Sequence, residues 1–375
     1  MKEVTAETIK LTNRQRVYRL IYNKKKISQQ EITAELNLSR PTVASNLSDL
    51  ERAGMIRKAG RLAGKQVGRK PSAYQIVENY RVSIGVEMQV NKVKVTAVNL
   101  YGQSIAKKSM SIIFSESEVY IEKICEWVID FIRQLHITDE QMLGIGIALQ
   151  GLVSADGREV TYGKIMNCKH LELASFEKYF KWPCRFFHDA ASAADSELWM
   201  SPSLKDAMYL NIGEHLGAAM ISRGEILYGM HGHTGTLEHV VMDPKGRRCY
   251  CGKCGCIETF CSMHALIRDG ETPEGFFAAV RSGDKESVIR WREYLKNLAS
   301  AINLLHLVND TVFVIGGYIA SFFQEEDVQI LYRHIRELTP FEESSDFITI
   351  SRMTRDNVMI GAAIPYIREF LSDTY

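Results

Sequence analysis

Four of the chain's eight cysteines fall within eight residues, in the stretch RCYCGKCGCIE at 248–258. Thiols crowded this closely staple a fold, run redox chemistry or hold a metal. The opening MKEVTAETIK has no apolar signal core, and the longest apolar runs are shorter than a membrane span. The expected compartment is therefore the reducing cytoplasm, where clustered cysteines bind metal or do redox chemistry more often than they cross-link. His239 precedes Cys249 by ten residues, and Cys249, Cys251 and Cys256 follow a C-x-C-x4-C spacing. Three thiolates and an imidazole make a closed tetrahedral set, the usual form of structural zinc, with no vacant position for a catalytic water. Gly252 and Gly255 allow turns tight enough for such ligands to converge. Cys254 is a spare thiol, able to replace one ligand, form a disulfide or stand idle. A four-thiolate set of Cys249, Cys251, Cys254 and Cys256 is the alternative.

A chain of 375 residues exceeds one typical domain, and its charge divides it. Residues 1–79 hold 16 Lys and Arg against 7 Asp and Glu, whereas the whole chain holds 46 against 45. A basic head on an acidic body suggests a polyanionic partner for the head.

The pattern within the head indicates which polyanion. Val17, Leu20 and Ile21 share one face of a helix opened by Thr12 or Asn13. Ser28 with Glu31 forms a capping box for a second helix carrying Ile32, Leu36 and Leu38. Ser39 caps a third, with Pro41 just inside, Val43, Leu47 and Leu50 facing inward and Gly54 as the stop. Such a helix-turn-helix lays its third helix in the major groove of double-stranded DNA, here presenting Arg40, Thr42, Ser45 and Asn46. Residues 55–77 read as two strands around a wing whose Arg57, Lys58, Arg61, Lys65, Arg69 and Lys70 suit phosphate or minor-groove contact. The plainer alternative is a small helical interaction domain with a solvated charged face. The stretch resembles the winged helix-turn-helix heads of bacterial regulators.

Beyond residue 80 the pattern becomes α/β. Residues 82–105 read as two strands and a turn with Gly102 closing the hairpin, 119–135 as a helix, and LGIGIAL as a buried strand. FFHDAASAADSELW passes from strand to helix, and DAMYLNIGEHLGAAMISRGEIL resumes strand, turn and strand. Hairpins feeding helices, twice over, predict two similar lobes around a cleft.

The segment EHVVMDPKGRRCYCGKCGCIETFCS resembles the signature of the repressor, ORF and kinase (ROK) family. That resemblance implies a two-lobed, actin-like ATPase body of the sugar kinase or ribonuclease H-like kind. It runs over residues 81–375, with lobes near 81–205 and 206–375, behind a DNA-binding domain at 1–80. It also implies a structural Zn2+ held by His239, Cys249, Cys251 and Cys256, leaving Cys254 idle. The family's first phosphate turn resembles D-x-G-G-T, where this chain has EMQVN at 87–91, and its second resembles G-T-G-x-G, where this chain has GEHLG with Glu214 and His215. A carboxylate facing triphosphate oxygens costs several kcal/mol at low effective dielectric. The sugar half is better kept. The resemblance implies Asp189 as the base of a kinase, with His188 in place of Asn, and His239 and Glu258 as further sugar ligands. An Asp at a helix start is also a common N-cap. The E-x-G-H element has become TLEH, with Thr236 for Glu and Glu238 for Gly, and Gln150 stands where a Pro is usual. The expectation is a cytoplasmic, sugar-responsive DNA-binding regulator, a repressor, acting as a homodimer or higher homo-oligomer, with a palindromic operator expected by analogy with similar regulators. Its effector is a sugar or sugar phosphate. The rivals are an active ATP-dependent sugar kinase with an appended head and an architectural DNA-binding protein that needs no ligand.

Overall fold

The head forms where the capping residues direct it. In the computed structural model, which describes residues 6–61, 72–342, 347–353 and 355–374, it comprises α1 (Ala6–Lys24), β1 (Ile27–Ser28), α2 (Gln29–Leu36), α3 (Arg40–Arg52), β2 (Ile56–Arg61) and β3 (Ser72–Ile76). The Ser28 side chain accepts from the Glu31 N–H and Glu31 accepts from the Ser28 N–H, a complete capping box. Asn37, at φ 52°, ends α2 in the left-handed region, and Ser39 caps α3 by accepting from the Thr42 N–H. One expectation is corrected. Thr12 and Asn13 lie within α1 rather than opening it, because no Gly or Pro interrupts the run from Ala6. Val17, Tyr18 and Ile21 of α1 are buried with Val43, Leu47 and Leu50 of α3. The strands order as β1-β3-β2, with β3 antiparallel to both neighbours.

The body is built twice on one plan. Its first half runs β4 (Val82–Met88), β5 (Lys92–Asn99), β6 (Ser104–Ser111), α4 (Glu118–Gln134), β7 (Met142–Leu149), β8 (Leu152–Val153), β9 (Glu159–Tyr162), β10 (Leu171–Glu172), α5 (Ala174–Glu177), β11 (Cys184–His188) and α6 (Asp189–Met200). Its second half runs β12 (Ala207–Ile212), β13 (Leu216–Ser222), β14 (Glu225–Leu227), α7 (Glu258–Cys261), α8 (Met263–Leu266), α9 (Pro273–Ser282), α10 (Lys285–His306), β15 (Val312–Gly316), α11 (Glu325–Leu338), β16 (Ile348–Ile350) and α12 (Asn357–Thr374). The sheets order as β11-β7-β4-β5-β6 and β14-β13-β12-β15-β16. In each, a three-stranded antiparallel meander is extended by two parallel strands. β8, β9 and β10 form a small extra sheet, too short to leave an alternation in the sequence.

The last helix departs from the expected division at residue 206. Although it lies at the C-terminal end, α12 packs on α6, β4 and β7 of the first half. Glycines make that approach possible. A Cβ on Gly85 would collide with the Met359 carbonyl, on Gly146 with the Ala362 carbonyl, and on Gly361 with the Ser192 carbonyl. The farther part of α12 joins the head: Ile360, Ala363, Ile364, Ile367 and Leu371 are buried in one cluster with Val17, Ile21 and Leu47, and with Val98 and Leu100 at the end of β5. Each aliphatic side chain so buried contributes roughly 1.5–3 kcal/mol. At the same seam Tyr22 stacks on Tyr101 at 5.0 Å between centroids and donates to the Leu100 carbonyl at 2.9 Å. Trp199, near the end of α6, donates to the Tyr101 carbonyl at 2.9 Å. Among the described residues no helix is long and apolar enough to cross a membrane.

Candidate functional site

The cysteine loop is shaped by its glycines. Gly252 and Gly255 have φ of 95° and 71°, which L side chains rarely adopt, and a Cβ on Gly255 would strike the Asp243 carbonyl. Backbone bonds from Met242 to the Gly255 carbonyl and from Ile257 to the Val240 carbonyl, 2.8 and 2.9 Å, fold the loop back against the residues after His239. One donor atom each from His239, Cys249, Cys251 and Cys256 then lies within 4.8 Å of the others. His239 Nδ1 is 3.7 Å from Cys249 Sγ, and Cys251 Sγ is 3.7 Å from Cys256 Sγ. Bonds of about 2.3 Å to sulfur and 2.0–2.1 Å to nitrogen at tetrahedral angles give edges of about 3.6–3.8 Å, which these two pairs match, and the four donors together could hold one four-coordinate ion. Burial holds the Cys249 thiol up at about 12, so a cation binding here must displace protons. Cys254 is exposed and outside the cluster.

Beside this centre, between the two halves, lies an open cavity. His188 and Asp189 line it from the β11–α6 junction, His215, Leu216 and Gly217 from the start of β13, and Thr236, Glu238, His239 and Tyr250 from the metal side. Gln150 and Tyr162 close the wall opposite. His188 precedes α6 without making a side-chain cap, and Asp189 is the first helical residue. Its Oδ1 accepts the Ala190 N–H at 2.8 Å and lies 3.3 Å from His188 Nε2. Burial raises the Asp189 carboxyl above its ordinary range, against the pull of His188.

Glu258 is placed differently from the sequence expectation. It is buried and absent from the cavity wall, because His215 stands in front of it: His215 Nδ1 is 2.7 Å from Glu258 Oε1, and Oε2 accepts the Leu216 N–H at 2.8 Å. Burial works to lower the His215 pKa, but the hydrogen bond and charge of Glu258 prevail and raise it. His215 itself faces the cavity, packed edge-on against Tyr250 at 5.3 Å. Sequence reasoning noted His215 only as a departure from a glycine-rich turn. Its role in the wall depends on the return of α7 beneath β13, which local spacing does not encode. Glu238 is 5 % exposed, and burial pushes its carboxyl up to about 8. Thr236 is half-buried and donates to the His233 carbonyl at 2.8 Å.

At the positions of the two nucleotide turns, other contacts have taken over. Glu87 is buried at the end of β4, 3.0 Å from Lys94 Nζ and accepting from Gln89 Nε2 at 2.6 Å. Glu214 is exposed beside Gly213.

On the head, α3 exposes Arg40 and Ser45, and Thr42 is half-buried with its hydroxyl 2.8 Å from Ser39 Oγ. Asn46 is corrected: it is 2 % exposed and donates to the Thr42 carbonyl at 2.8 Å. At helical spacing it falls three and four residues from Val43 and Leu50, on the inward face. The exposed face continues through Ser48 and Arg52, the direction the 3.6-residue period sets from Arg40 and Ser45. Arg57 and Lys58 are exposed on β2, and Lys58 lies 3.6 Å from Glu51. Arg61 closes β2, its side chain outside the described residues, as are Lys65, Arg69 and Lys70.

Two halves of identical strand order around a cleft, joined to a winged helix-turn-helix, define a DNA-binding protein with a sugar-kinase-like body. The ROK family pattern matches residues 83–368 and a winged helix-turn-helix DNA-binding pattern matches 11–57; the chain belongs to the ROK family. It is 24 % identical to the xylose repressor of Caldicellulosiruptor bescii (strain ATCC BAA-1888 / DSM 6725 / KCTC 15123 / Z-1320) over 97 % of each chain. To the N-acetylglucosamine repressor of Escherichia coli O157:H7 it is 26 % identical, over 84 % of this chain and 82 % of that protein. The crystal structure of a ROK family transcriptional regulator, a homologue of the E. coli MLC protein, superposes with a TM-score of 0.74 at 23 % identity, covering 98 % of this chain and 97 % of that one.

Proposed function

We propose that the protein is a cytoplasmic DNA-binding transcriptional regulator, a repressor, whose kinase-like body senses a sugar and performs no phosphoryl transfer. The single observation that carries this reading is the continuity between cavity and head. Asp189 opens α6, α6 packs on α12, and α12 shares a hydrophobic core with the head. A ligand binding in the cleft therefore acts on the wall of a packed unit that ends in the DNA-binding helix. Operator affinity changes only by the difference in the ligand's affinity for the two arrangements. The names of its relatives, a xylose repressor and an N-acetylglucosamine repressor, favour a carbohydrate effector.

Asp189, His188 and His239 are the sugar-facing groups, and Glu258 acts through His215. His239, Cys249, Cys251 and Cys256 hold a structural zinc whose donor set leaves no open position. The ion fixes the loop that brings His239 and Tyr250 to the cavity. Arg40, Thr42 and Ser45 read the major groove, while Arg57, Lys58, Arg61, Lys65, Arg69 and Lys70 neutralise backbone phosphates. Two copies on a palindromic operator complete the scheme. Against kinase activity stand Glu87 and Glu214 at the nucleotide turns. An unpaired carboxylate 4 Å from a phosphate charge costs about 4 kcal/mol at an effective dielectric of 20, and less where, as at Glu87, a lysine pairs with it or, as at Glu214, water reaches it.

The test is fluorescence anisotropy of operator DNA titrated with protein, with and without a sugar selected by thermal shift. A sugar-dependent change in Kd of tenfold or more is expected. Sugar-dependent ATP turnover above background in a coupled assay would replace this reading with that of a kinase.

A further inference from the structure

The reading of the cavity as a sugar site leaves one of its carboxylates without a role. Asp189 is engaged by Ala190 and His188, and Glu258 by His215 and Leu216. The Thr236 hydroxyl donates to the His233 carbonyl. Glu238 lines the same cavity, yet it lacks comparable partners. Its Oε1 lies 3.9 Å from His239 Nε2, beyond hydrogen-bond distance, and its buried Oε2 has no partner among the described residues. A buried carboxylate oxygen left in this state is destabilising, and a donor brought by a ligand relieves the cost.

We propose that Glu238 is a specificity-determining contact for the effector, accepting a hydrogen bond from a ring hydroxyl or amine of an unphosphorylated sugar. It supplies, two residues later, the carboxylate that Thr236 does not. The wall also argues against a phosphate. Asp189 and Glu238 are carboxylates on the cavity surface with Glu258 directly behind, while Lys164 is exposed at the mouth. A phosphate dianion carried into this interior meets Asp189 and, behind His215, Glu258, in a place where water screens charge poorly. The rival role for Glu238 is to orient His239 on its metal. That role predicts loss of zinc from Glu238 variants, whereas an effector contact predicts loss of sugar binding with zinc retained.

The experiment uses the zinc-loaded full chain. Free pentoses, hexoses and amino sugars, each alongside its 5- or 6-phosphate, are screened by thermal shift, and the best binder is titrated calorimetrically. The unphosphorylated form is expected to bind about 100-fold more tightly than its phosphate. Glu238→Gln should weaken it about tenfold and Glu238→Gly further, both with one equivalent of zinc, on the scale of one buried hydrogen bond. The double variant Thr236→Glu, Glu238→Gly should recover part of the affinity. Equal or tighter binding of the phosphate, a Kd within twofold of wild type in both single variants, or zinc loss from Glu238→Gln overturns this inference alone. Failure of every sugar and sugar phosphate to bind the wild type overturns the sensing reading together with it. If Glu238→Gly does not fold, Glu238→Gln decides.

Discussion

Replacing Gly361 by alanine tests how tightly the DNA-binding head is tied to the cleft. In an exposed helix this change stabilises by up to about 1 kcal/mol, because alanine is the better helix former. Here the added Cβ would sit 2.5 Å from the Ser192 carbonyl carbon and 3.1 Å from its Cα, and still closer to the oxygen. These are backbone atoms of α6, so no side-chain rotation relieves the clash. Normal van der Waals separation requires α12 and α6 to part by about 1 Å or more. α12 is held equally closely against β4 and β7, where Gly85 and Gly146 face the Met359 and Ala362 carbonyls. The movement therefore opens gaps around Val358, Ala362 and Ile364, all buried. Overpacking with backbone displacement costs about 1–3 kcal/mol or more, so the sign reverses. At roughly 2–4 °C per kcal/mol for a body of this size, melting should fall by about 2–12 °C in circular dichroism. The head shares a core with the same helix, so the sugar response of operator binding should also shrink. A melting temperature equal to or above that of wild type would refute the reasoning.

Cys251→Ser or Cys256→Ser should reduce bound metal below half an equivalent by atomic absorption and lower the melting temperature, with loss of any sugar-induced shift, because the loop carrying Tyr250 loses its clamp. His215, whose pKa Glu258 raises, stabilises the fold fully at pH below the ordinary histidine value and loses that contribution as pH rises through its elevated value. The stability difference between wild type and His215→Ala, from urea melts, should therefore be larger at pH 6 than at pH 9, and a pH-independent difference would contradict the assignment. Arg40→Ala should weaken operator binding about 5- to 150-fold with little effect on melting. Asn46→Ala should do the reverse, since Asn46 lies inside the head; anisotropy and thermal melts separate the two.

Local signals carried the head and the metal centre into the sequence with little loss. Ser28, Glu31, Ser39 and Pro41 act within three residues of the backbone groups they satisfy, so the helix starts were legible. The four clustered donors sit on one short loop and the turn before it, so their spacing already placed them near one another, while the choice of Cys254 as the idle thiol came from the family resemblance. The body's doubled strand order was visible only as repeated hairpins. The features that were not legible depend on distant returns of the chain. His215 covers Glu258 across 43 residues, α12 crosses back to strands more than 200 residues earlier, and Asn46 turned inward because its neighbours set the phase of the helix. Glu238 stood out by residue type, but its lack of partners emerged only once the surrounding groups were in place.

The central claim is that sugar in the cleft controls the head without nucleotide chemistry. Its most direct measurement is the operator Kd at fixed salt with sugar, repeated in the presence and absence of magnesium ATP. The account predicts the same sugar-dependent shift in both, with the sugar recovered chemically unchanged. A shift that appears only with ATP, or a phosphorylated sugar recovered from the reaction, would contradict it.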